Sequence, residues 1–153
     1  MIASKNEWGN SAWTFMHVIA CKVKIEEFSK QKENIMTVIR GICSNLPCPD
    51  CRSHAEKQMR RLNSVNITTK EEMKEMLREF HNSVNIRTNK RIFSKGEMVK
   101  YEKASTSEAV SVFFKTWFAG SSTPRLMMDT FARVRFLEWI ISYFDKNNQF
   151  YDP

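Results

Sequence analysis

The most reactive side chains of the sequence are two cysteines separated by two residues, Cys48 and Cys51. Pro49 suits the first position of a helix, so the sequence predicts that Cys48 caps a helix and Cys51 lies in its first turn. The N–H groups and positive dipole end of a helix stabilise a thiolate, and Arg52 adds positive charge nearby. The spacing lets the two sulfurs meet across one turn, as a dithiol–disulfide couple requires.

Cysteine pairs of this kind in intracellular proteins serve either redox chemistry or metal binding. The zinc interpretation would use three cysteines and one histidine, namely Cys43, Cys48, Cys51 and His54. Against it, Cys43 is predicted on a different helix, and the ligands would crowd into one short stretch. A thioredoxin fold is disfavoured because no β-α-β pattern precedes the motif. From these residues alone, a redox pair, a zinc site and a purely structural cysteine pair all stay open.

Two further groups of polar side chains are predicted on helices. Trp13 and His17 are four residues apart and therefore share a helix face. His81 and Asn85 have the same spacing, with Asn82 beside them. A buried imidazole or amide needs a hydrogen-bond partner, and a flat heteroaromatic ligand would supply partners together with a ring on which Trp13 could stack. The ordinary alternative is a core tryptophan, hydrogen-bonded histidines and an Asn-rich helix end.

The composition favours one domain that is mainly helical. The chain has 153 residues, with only four glycines and four prolines, and its long stretches lack helix breakers. The net charge of +7 favours phosphate or acidic partners, although a solvated basic surface is the simpler explanation. No run of about 18 apolar residues predicts a membrane helix. Residues 1–7 lack the apolar core of a signal peptide, so an intracellular location is expected.

Seven helical stretches are predicted from apolar periodicity and capping residues. The first is capped by Ser11 and the fourth by Thr68 or Thr69, with Glu71 and Glu72 in its first turn. The predicted stretches are 11–24, about 27–45, a third opening at Pro49, a fourth running to about Asn85, a short fifth over 95–101, 108–119 with Ser105 or Thr106 as its cap, and 125–145 after Ser122, Thr123 and Pro124.

Three segments occur in an order and spacing that are similar to one family. Trp8–His17 resembles the Trp-x-x-x-His helix of the Erv/ALR sulfhydryl oxidases, and Leu46–Arg52 is similar to their redox segment. His81–Asn85, followed by Lys90, matches their His-Asn-x-Val-Asn flavin motif and the lysine after it. The agreement covers residues 8–94, somewhat over half of the chain. The compact form and the Trp-Gly opening look most like members encoded by large DNA viruses.

The resemblance implies an all-α fold in which a four-helix bundle and a short fifth helix hold FAD. Residues 1–103 would form this oxidase bundle. Residues 104–153 lie outside the resemblance and would form an additional helical C-terminal extension, which either packs on the bundle or builds an oligomer interface. Family members are commonly homodimers, so a homodimer is expected here.

The resemblance also implies an activity, the oxidation of protein dithiols through FAD to O₂, which yields H₂O₂. Cys51 would be the thiolate next to the flavin, and Cys48 would be the sulfur that exchanges with the substrate. The residues implied as FAD contacts are Gly9, Trp13, His17, Cys51, His81, Asn82, Val84, Asn85 and Lys90. No metal site is implied.

The sequence departs from the family pattern at its other cysteines. Cys21 stands where many members have a tyrosine that contacts the flavin, and no cysteine follows Cys51 to form the family's C-terminal disulfide. A second Cys-x-x-Cys is also absent, so electrons would come directly from a partner dithiol, expected to be a small thioredoxin-like protein. Cys21 and Cys43 are interpreted as spare, buried thiols.

Two other functions compete with the oxidase. One is a non-enzymatic basic module that binds zinc through Cys43, Cys48, Cys51 and His54 and docks to nucleic acid. The other is a flavin-free structural partner that acts through its aromatic C-terminal helix. For the oxidase, we expect no membrane or nucleic-acid partner and a cytoplasmic location, with the virion as a second location for a viral protein.

Overall fold

The computed structural model describes residues 5–118 and 127–153, which form helices joined by short connections. Within these ranges there is no β-strand, only a single bridge between Val23 and Tyr151. The predicted all-α fold is therefore confirmed. No helix in the described ranges combines the length and apolarity needed to cross a bilayer. The helices are α1 (Lys5–Lys22), α2 (Phe28–Ser44), α3 (Pro49–Arg61), α4 (Lys70–Arg87), α5 (Val99–Lys103), α6 (Thr106–Phe118) and α7 (Met127–Asn147).

The central element is α1, which contacts α2, α4, α5 and α6. Six consecutive residues, 15–20, are each at most 2 % exposed, as in a helix surrounded on all sides. This helix begins at Lys5, so the predicted start at Ser11 is wrong. The Ser11 hydroxyl instead lies inside the helix, where it donates to the Trp8 carbonyl at 3.0 Å and lies 2.6 Å from the Thr116 hydroxyl. The apparent capping residue joins α1 to α6.

The predicted bounds of α2 and α4 agree closely with the structure. Thr69 caps α4, since its hydroxyl accepts a hydrogen bond from the Glu72 backbone N–H at 3.1 Å. The Glu72 carboxylate in turn accepts from the Thr68 N–H at 3.2 Å, which satisfies a second backbone donor at the helix start. The short fifth helix is shifted: a 3₁₀ turn over Gly96–Met98 leads into α5.

The C-terminal helices share the core of the bundle. Phe113 of α6 stacks on Phe15 of α1, with ring centroids 4.4 Å apart. Ser105 caps α6 as predicted, because its hydroxyl accepts from the Glu108 N–H at 3.3 Å. Residues 104–153 thus contain helices that pack on the bundle, while their role in an oligomer and the boundary at 103 stay predictions. The predicted cap at Ser122, Thr123 and Pro124 lies outside the described residues.

One side of α7 packs against α2. Leu137 and Ile140 are fully buried, and the Tyr143 hydroxyl donates to Gln31 of α2 at 2.6 Å. The opposite side of this helix is not covered by the bundle, since Trp139 remains 38 % exposed. Helix α7 therefore carries more apolar side chains than it buries against the bundle.

Candidate functional site

A cavity of about 430 Å³ opens between α1, α3, α4 and the segment that follows α4. Its size is typical of a small-molecule or cofactor site. Seven of the nine predicted FAD contacts line it: Gly9, Trp13, Cys51, His81, Val84, Asn85 and Lys90. The fold thus brings together three segments that are far apart in the sequence.

The redox segment begins α3 as the sequence predicts. Cys48 is the N-cap, and its Sγ accepts a hydrogen bond from the Cys51 backbone N–H at 3.3 Å. Pro49 occupies the first helical position. Cys51 lines the cavity, whereas Cys48 is half-buried and is not among the lining residues. The two sulfurs therefore have different surroundings, one next to the cavity and one at the helix start.

Aromatic and imidazole rings form a stack along one wall of the cavity. The rings of Trp13 and His81 are nearly parallel, with centroids 4.1 Å apart and planes inclined by 5°. His17 lies on Tyr101 in a similar way, at 4.5 Å and 18°. The His17 Nε2 and His81 Nδ1 atoms are 3.0 Å apart and share one proton in a hydrogen bond. Two pairs of rings are thus joined into one rigid group.

Both histidines of the stack are neutral at physiological pH. Burial, followed by the charges of His81 and Lys100, lowers the pKa of His17 to about 3. Burial, followed by the charges of Lys100 and Lys90, lowers the pKa of His81 to about 4. The lysine charges that disfavour imidazolium would favour an anion bound in the same cavity.

Two predicted FAD contacts, His17 and Asn82, are not among the residues that line this cavity. His17 lies behind His81 and lines a second cavity on the other side of α1 and α4. The Asn82 amide donates to the Phe93 carbonyl at 2.9 Å and accepts from the Phe93 N–H at 2.8 Å. This pair of bonds holds the segment after α4 against the helix. The assignment of both residues to FAD stays a prediction.

Asn85 combines burial with an unused side-chain amide. It is 5 % exposed and lines the cavity, yet its amide makes no hydrogen bond to any residue in the described ranges. Its backbone carbonyl accepts from the Lys90 N–H at 2.7 Å, which closes the end of α4. Asn89 adopts a positive φ of 58° in this turn, a conformation that asparagine tolerates better than most residues. The turn places Lys90 at the cavity.

Several lining residues were missed by the sequence reasoning. The missed residues include three aromatic and three cationic side chains, namely Phe80, Phe93, Tyr101, Arg87, Arg91 and Lys100. The Lys100 ammonium lies 5.0 Å from the centroids of both the Phe93 and the Tyr101 rings. Tyr101 belongs to a helix of only five residues, so no periodic pattern could identify it. The basic segment between Arg87 and Arg91 was a visible signal of an anion site.

The structure does not assemble the proposed zinc ligands. All four cysteines and all three histidines belong to the described ranges, and in those ranges no three His, Cys, Asp or Glu side chains are placed to hold a metal ion. Cys43 is buried on α2, where burial raises the pKa of its thiol to about 12, and His54 is exposed. Burial likewise raises the pKa of Cys21 to about 11. The arrangement favours a redox pair over a zinc site.

Comparison with known proteins finds relatives that are named as FAD-linked sulfhydryl oxidases. The chain is 29 % identical over 114 residues to an FAD-linked sulfhydryl oxidase of African swine fever virus, covering 74 % of this chain and 94 % of the viral protein. It is 26 % identical over 118 residues to a probable FAD-linked sulfhydryl oxidase of Acanthamoeba polyphaga mimivirus, covering 75 % and 81 %.

A plant relative matches over a shorter region. An FAD-linked sulfhydryl oxidase of Arabidopsis thaliana is 28 % identical over 90 residues, or 59 % of this chain, and the chain spans about half of that protein's length. No solved structure matches the chain. The model of the Erv1/Alr family matches residues 10–105, which include the cysteine pair and most of the residues that line the cavity. The chain therefore belongs to the Erv1/Alr family.

Proposed function

We propose that this chain is an FAD-dependent thiol oxidase that forms disulfides in protein substrates through Cys48 and Cys51. One observation carries the proposal: Cys51 shares a single cavity with Trp13 of α1 and with His81 and Asn85 of α4. The viral and plant relatives, which are named as FAD-linked sulfhydryl oxidases, support it. A redox sulfur beside a cavity of cofactor size is the arrangement that such an enzyme needs.

The cavity suits FAD in shape and in chemistry. The parallel rings of Trp13 and His81 offer a flat aromatic surface on which a ring system can stack. The buried Asn85 amide lacks a partner in the described ranges, and a heteroaromatic ring edge would satisfy it. Lys90 and Lys100 supply positive charge for a pyrophosphate. Bound FAD would supply a two-electron acceptor that passes its electrons to O₂.

The protein residues carry out the thiol chemistry. A substrate thiolate attacks the Cys48 sulfur of the oxidised pair, so that a substrate–Cys48 bond forms and Cys51 leaves as a thiolate. The N-terminal end of α3 stabilises this charge. A second substrate thiolate then displaces Cys48, and the substrate departs as a disulfide. Over a full cycle two thiols and one O₂ become one disulfide and one H₂O₂.

The partner, assembly and location are also proposals. Because the sequence has no cysteine pair besides Cys48 and Cys51 with this spacing, the substrate dithiol, proposed to be a small thioredoxin-like protein, would reach Cys48 directly. The exposed apolar side chains of α7, such as Trp139 and Ile141, support a homodimer, which sedimentation equilibrium would test. A cytoplasmic location, or the virion for a viral protein, is proposed as well, and the viral relatives are consistent with it.

Serine substitutions test the assigned sulfur roles. We expect Cys51→Ser and Cys48→Ser each to reduce dithiothreitol oxidation at least about 100-fold, because either change removes the disulfide that accepts substrate electrons. Oxygen consumption measures turnover, and flavin absorbance measures bound FAD, which should remain.

Cys21→Ser is the matched control, since Cys21 is half-buried and does not line the cavity. This variant should keep its turnover. Undiminished turnover in either Cys48→Ser or Cys51→Ser would disprove the corresponding role, and a purified protein that binds no FAD would disprove the function. An anaerobic dithiothreitol titration followed by readmission of air would show whether O₂ reoxidises the flavin.

A further inference from the structure

A second concave surface, which we name the α3–α4 groove, has a volume of about 160 Å³. It is lined by Lys57, Gln58 and Arg61 of α3 and by Ser83 and Arg87 of α4, among others. None of the described residues that line it is acidic. The groove is therefore a basic surface of definite shape rather than a scatter of surface charges.

The cations of the groove make no ion pairs within the described ranges. Other basic side chains of these helices are paired: Arg60 lies 4.0 Å from Glu56, and Arg78 lies 2.6 Å from Glu75. In contrast, Lys57, Arg61 and Arg87 make no ion pair with any residue in the described ranges, and all three are exposed. Their positive charge is available to a partner.

The floor of the groove is fixed by contacts between the two helices. The Ser83 hydroxyl lies 2.7 Å from the Phe80 backbone carbonyl and 3.2 Å from the Gln58 side-chain carbonyl, and its one proton is shared between these two acceptors. Lys57 and Arg61 are four residues apart and therefore project from the same side of α3. The groove thus presents its charges in a defined row.

The groove adjoins the cavity that Cys51 lines. Ala55, Phe80, Val84 and Arg87 line both surfaces. Ala55 is one helical turn from Cys51 on α3, on the same face. A chain lying in the groove would consequently have a neighbouring segment within reach of the cysteine pair.

Building on the oxidase function, we propose that the α3–α4 groove binds an acidic segment of the dithiol substrate. Charge complementarity identifies the occupant, because a row of cations that make no ion pairs within the described ranges attracts carboxylates and repels basic chains. Charges of this kind steer a partner towards the site and raise the rate of encounter. The groove would hold the substrate while its thiolate attacks Cys48.

The geometry sets where the acidic residues must lie. A helix rises about 1.5 Å per residue, so Lys57 and Arg61 lie roughly 14 and 20 Å from Cys48 along α3. An extended peptide covers about 3.3–3.6 Å per residue. The carboxylates should therefore lie about four to six residues from the cysteine that attacks Cys48.

Two reduced peptides test this geometry. Both carry the same two cysteines with two residues between them, and they differ only in having glutamates or lysines at the positions just defined. We expect the acidic peptide to have a KM at least about fivefold lower, with similar kcat, and expect added salt to remove the difference. Equal KM values at low salt would overturn the proposal.

A matched pair of double variants locates the effect. Lys57→Gln with Arg61→Gln should abolish the preference for the acidic peptide, whereas Lys115→Gln with Lys146→Gln, which removes the same charge from exposed sites on α6 and α7, should retain it. Arg87 stays unchanged because it also lines the main cavity. If the first double variant keeps the preference, the groove is not the site.

Two further measurements separate the possible failures. Dithiothreitol, which is small and uncharged, should be oxidised equally by the wild type and by both double variants. No oxidation of dithiothreitol by the flavin-loaded wild type would refute the oxidase function itself, whereas normal oxidation without a charge preference would refute only the groove. A labelled acidic peptide with serines in place of its cysteines should bind to the protein. If this peptide does not bind and a duplex oligonucleotide does, through Lys57 and Arg61, the proposal is overturned.

Discussion

Asn85 shows how one side chain can report on a ligand. The residue is 5 % exposed and lines the cavity, where its amide makes no hydrogen bond to any residue in the described ranges and only water or a ligand can satisfy it. We expect Asn85→Leu to leave the ligand-free protein as stable as the wild type, or more stable, and to weaken FAD binding about tenfold. Urea unfolding of the ligand-free protein and FAD titration measure the two effects. Unchanged FAD affinity would contradict a role for this amide.

The paired histidines make stability depend on pH. An unfolded histidine has a pKa near 6.5, whereas burial lowers the pKa of His81 to about 4 and that of His17 to about 3. Between these values the unfolded chain binds protons that the folded chain excludes, so the free energy of unfolding falls as the pH falls. Each pKa unit corresponds to roughly 1.4 kcal/mol. Above pH 6.5 both histidines are neutral in the folded and in the unfolded chain, so the free energy of unfolding is no longer reduced by their protonation.

NMR of the imidazole nitrogens tests this assignment directly. Both His17 and His81 should remain mainly neutral from pH 6.5 until the pH approaches about 4, and over that interval their shared hydrogen bond should persist. Exposed His54 provides an internal comparison in the same spectrum. Protonation of either buried ring well within that interval, with the protein still folded, would contradict the buried pair.

At the scale of elements, Asn82 connects α4 to the segment that follows it. We expect Asn82→Ala to remove both hydrogen bonds to Phe93, speed amide exchange at Phe93, and weaken FAD binding because the Phe93 ring borders the cavity. The free energy that holds this segment against α4 should fall by about 1–2 kcal/mol. Asn82→Asp, which still accepts from the Phe93 N–H, should retain protection there. Wild-type exchange in Asn82→Ala would show that the segment is held by other contacts.

Helix ends that depend on local chemistry could be predicted from the sequence. Cys48 and Thr69 cap their helices through bonds to residues three positions on, and Pro49 fits the first helical position, so a local pattern was sufficient. Ser11 misled the prediction because its hydroxyl bonds within the helix and meets Thr116, more than a hundred residues away. Helix bounds that depend on distant packing are not encoded in a short window.

The candidate site was predictable in its members but not in its arrangement. The motif spacing identified Trp13, Cys51 and His81, which line the cavity. It also assigned Asn82 to FAD, although Asn82 bonds to Phe93 and does not line the cavity. Which side of a helix faces a cavity depends on every element that packs around it. A motif alone cannot supply that information.

At the scale of the whole molecule, the contact between α2 and α7 depends on Gly41. A methyl group at this position would overlap the Phe136 ring, so we expect Gly41→Ala to destabilise the protein by about 1–3 kcal/mol despite the better helix propensity of alanine. Gly9 in α1 has open space around it, so Gly9→Ala should stabilise the FAD-free protein by up to about 1 kcal/mol. Chemical denaturation of both variants without FAD measures the difference, and equal changes would contradict the tight contact.

The low reactivity expected of the Cys21 and Cys43 thiols allows the redox state of the Cys48–Cys51 pair to be measured by alkylation. Burial keeps both thiols protonated, and alkylating reagents react with thiolates. A brief exposure to such a reagent should therefore label nothing on the resting protein when Cys48 and Cys51 are joined. After mild reduction, the same exposure should label this pair alone. Mass spectrometry of the intact chain would then give the fraction of molecules in which this cysteine pair is reduced during turnover. The measurement would not depend on flavin absorbance.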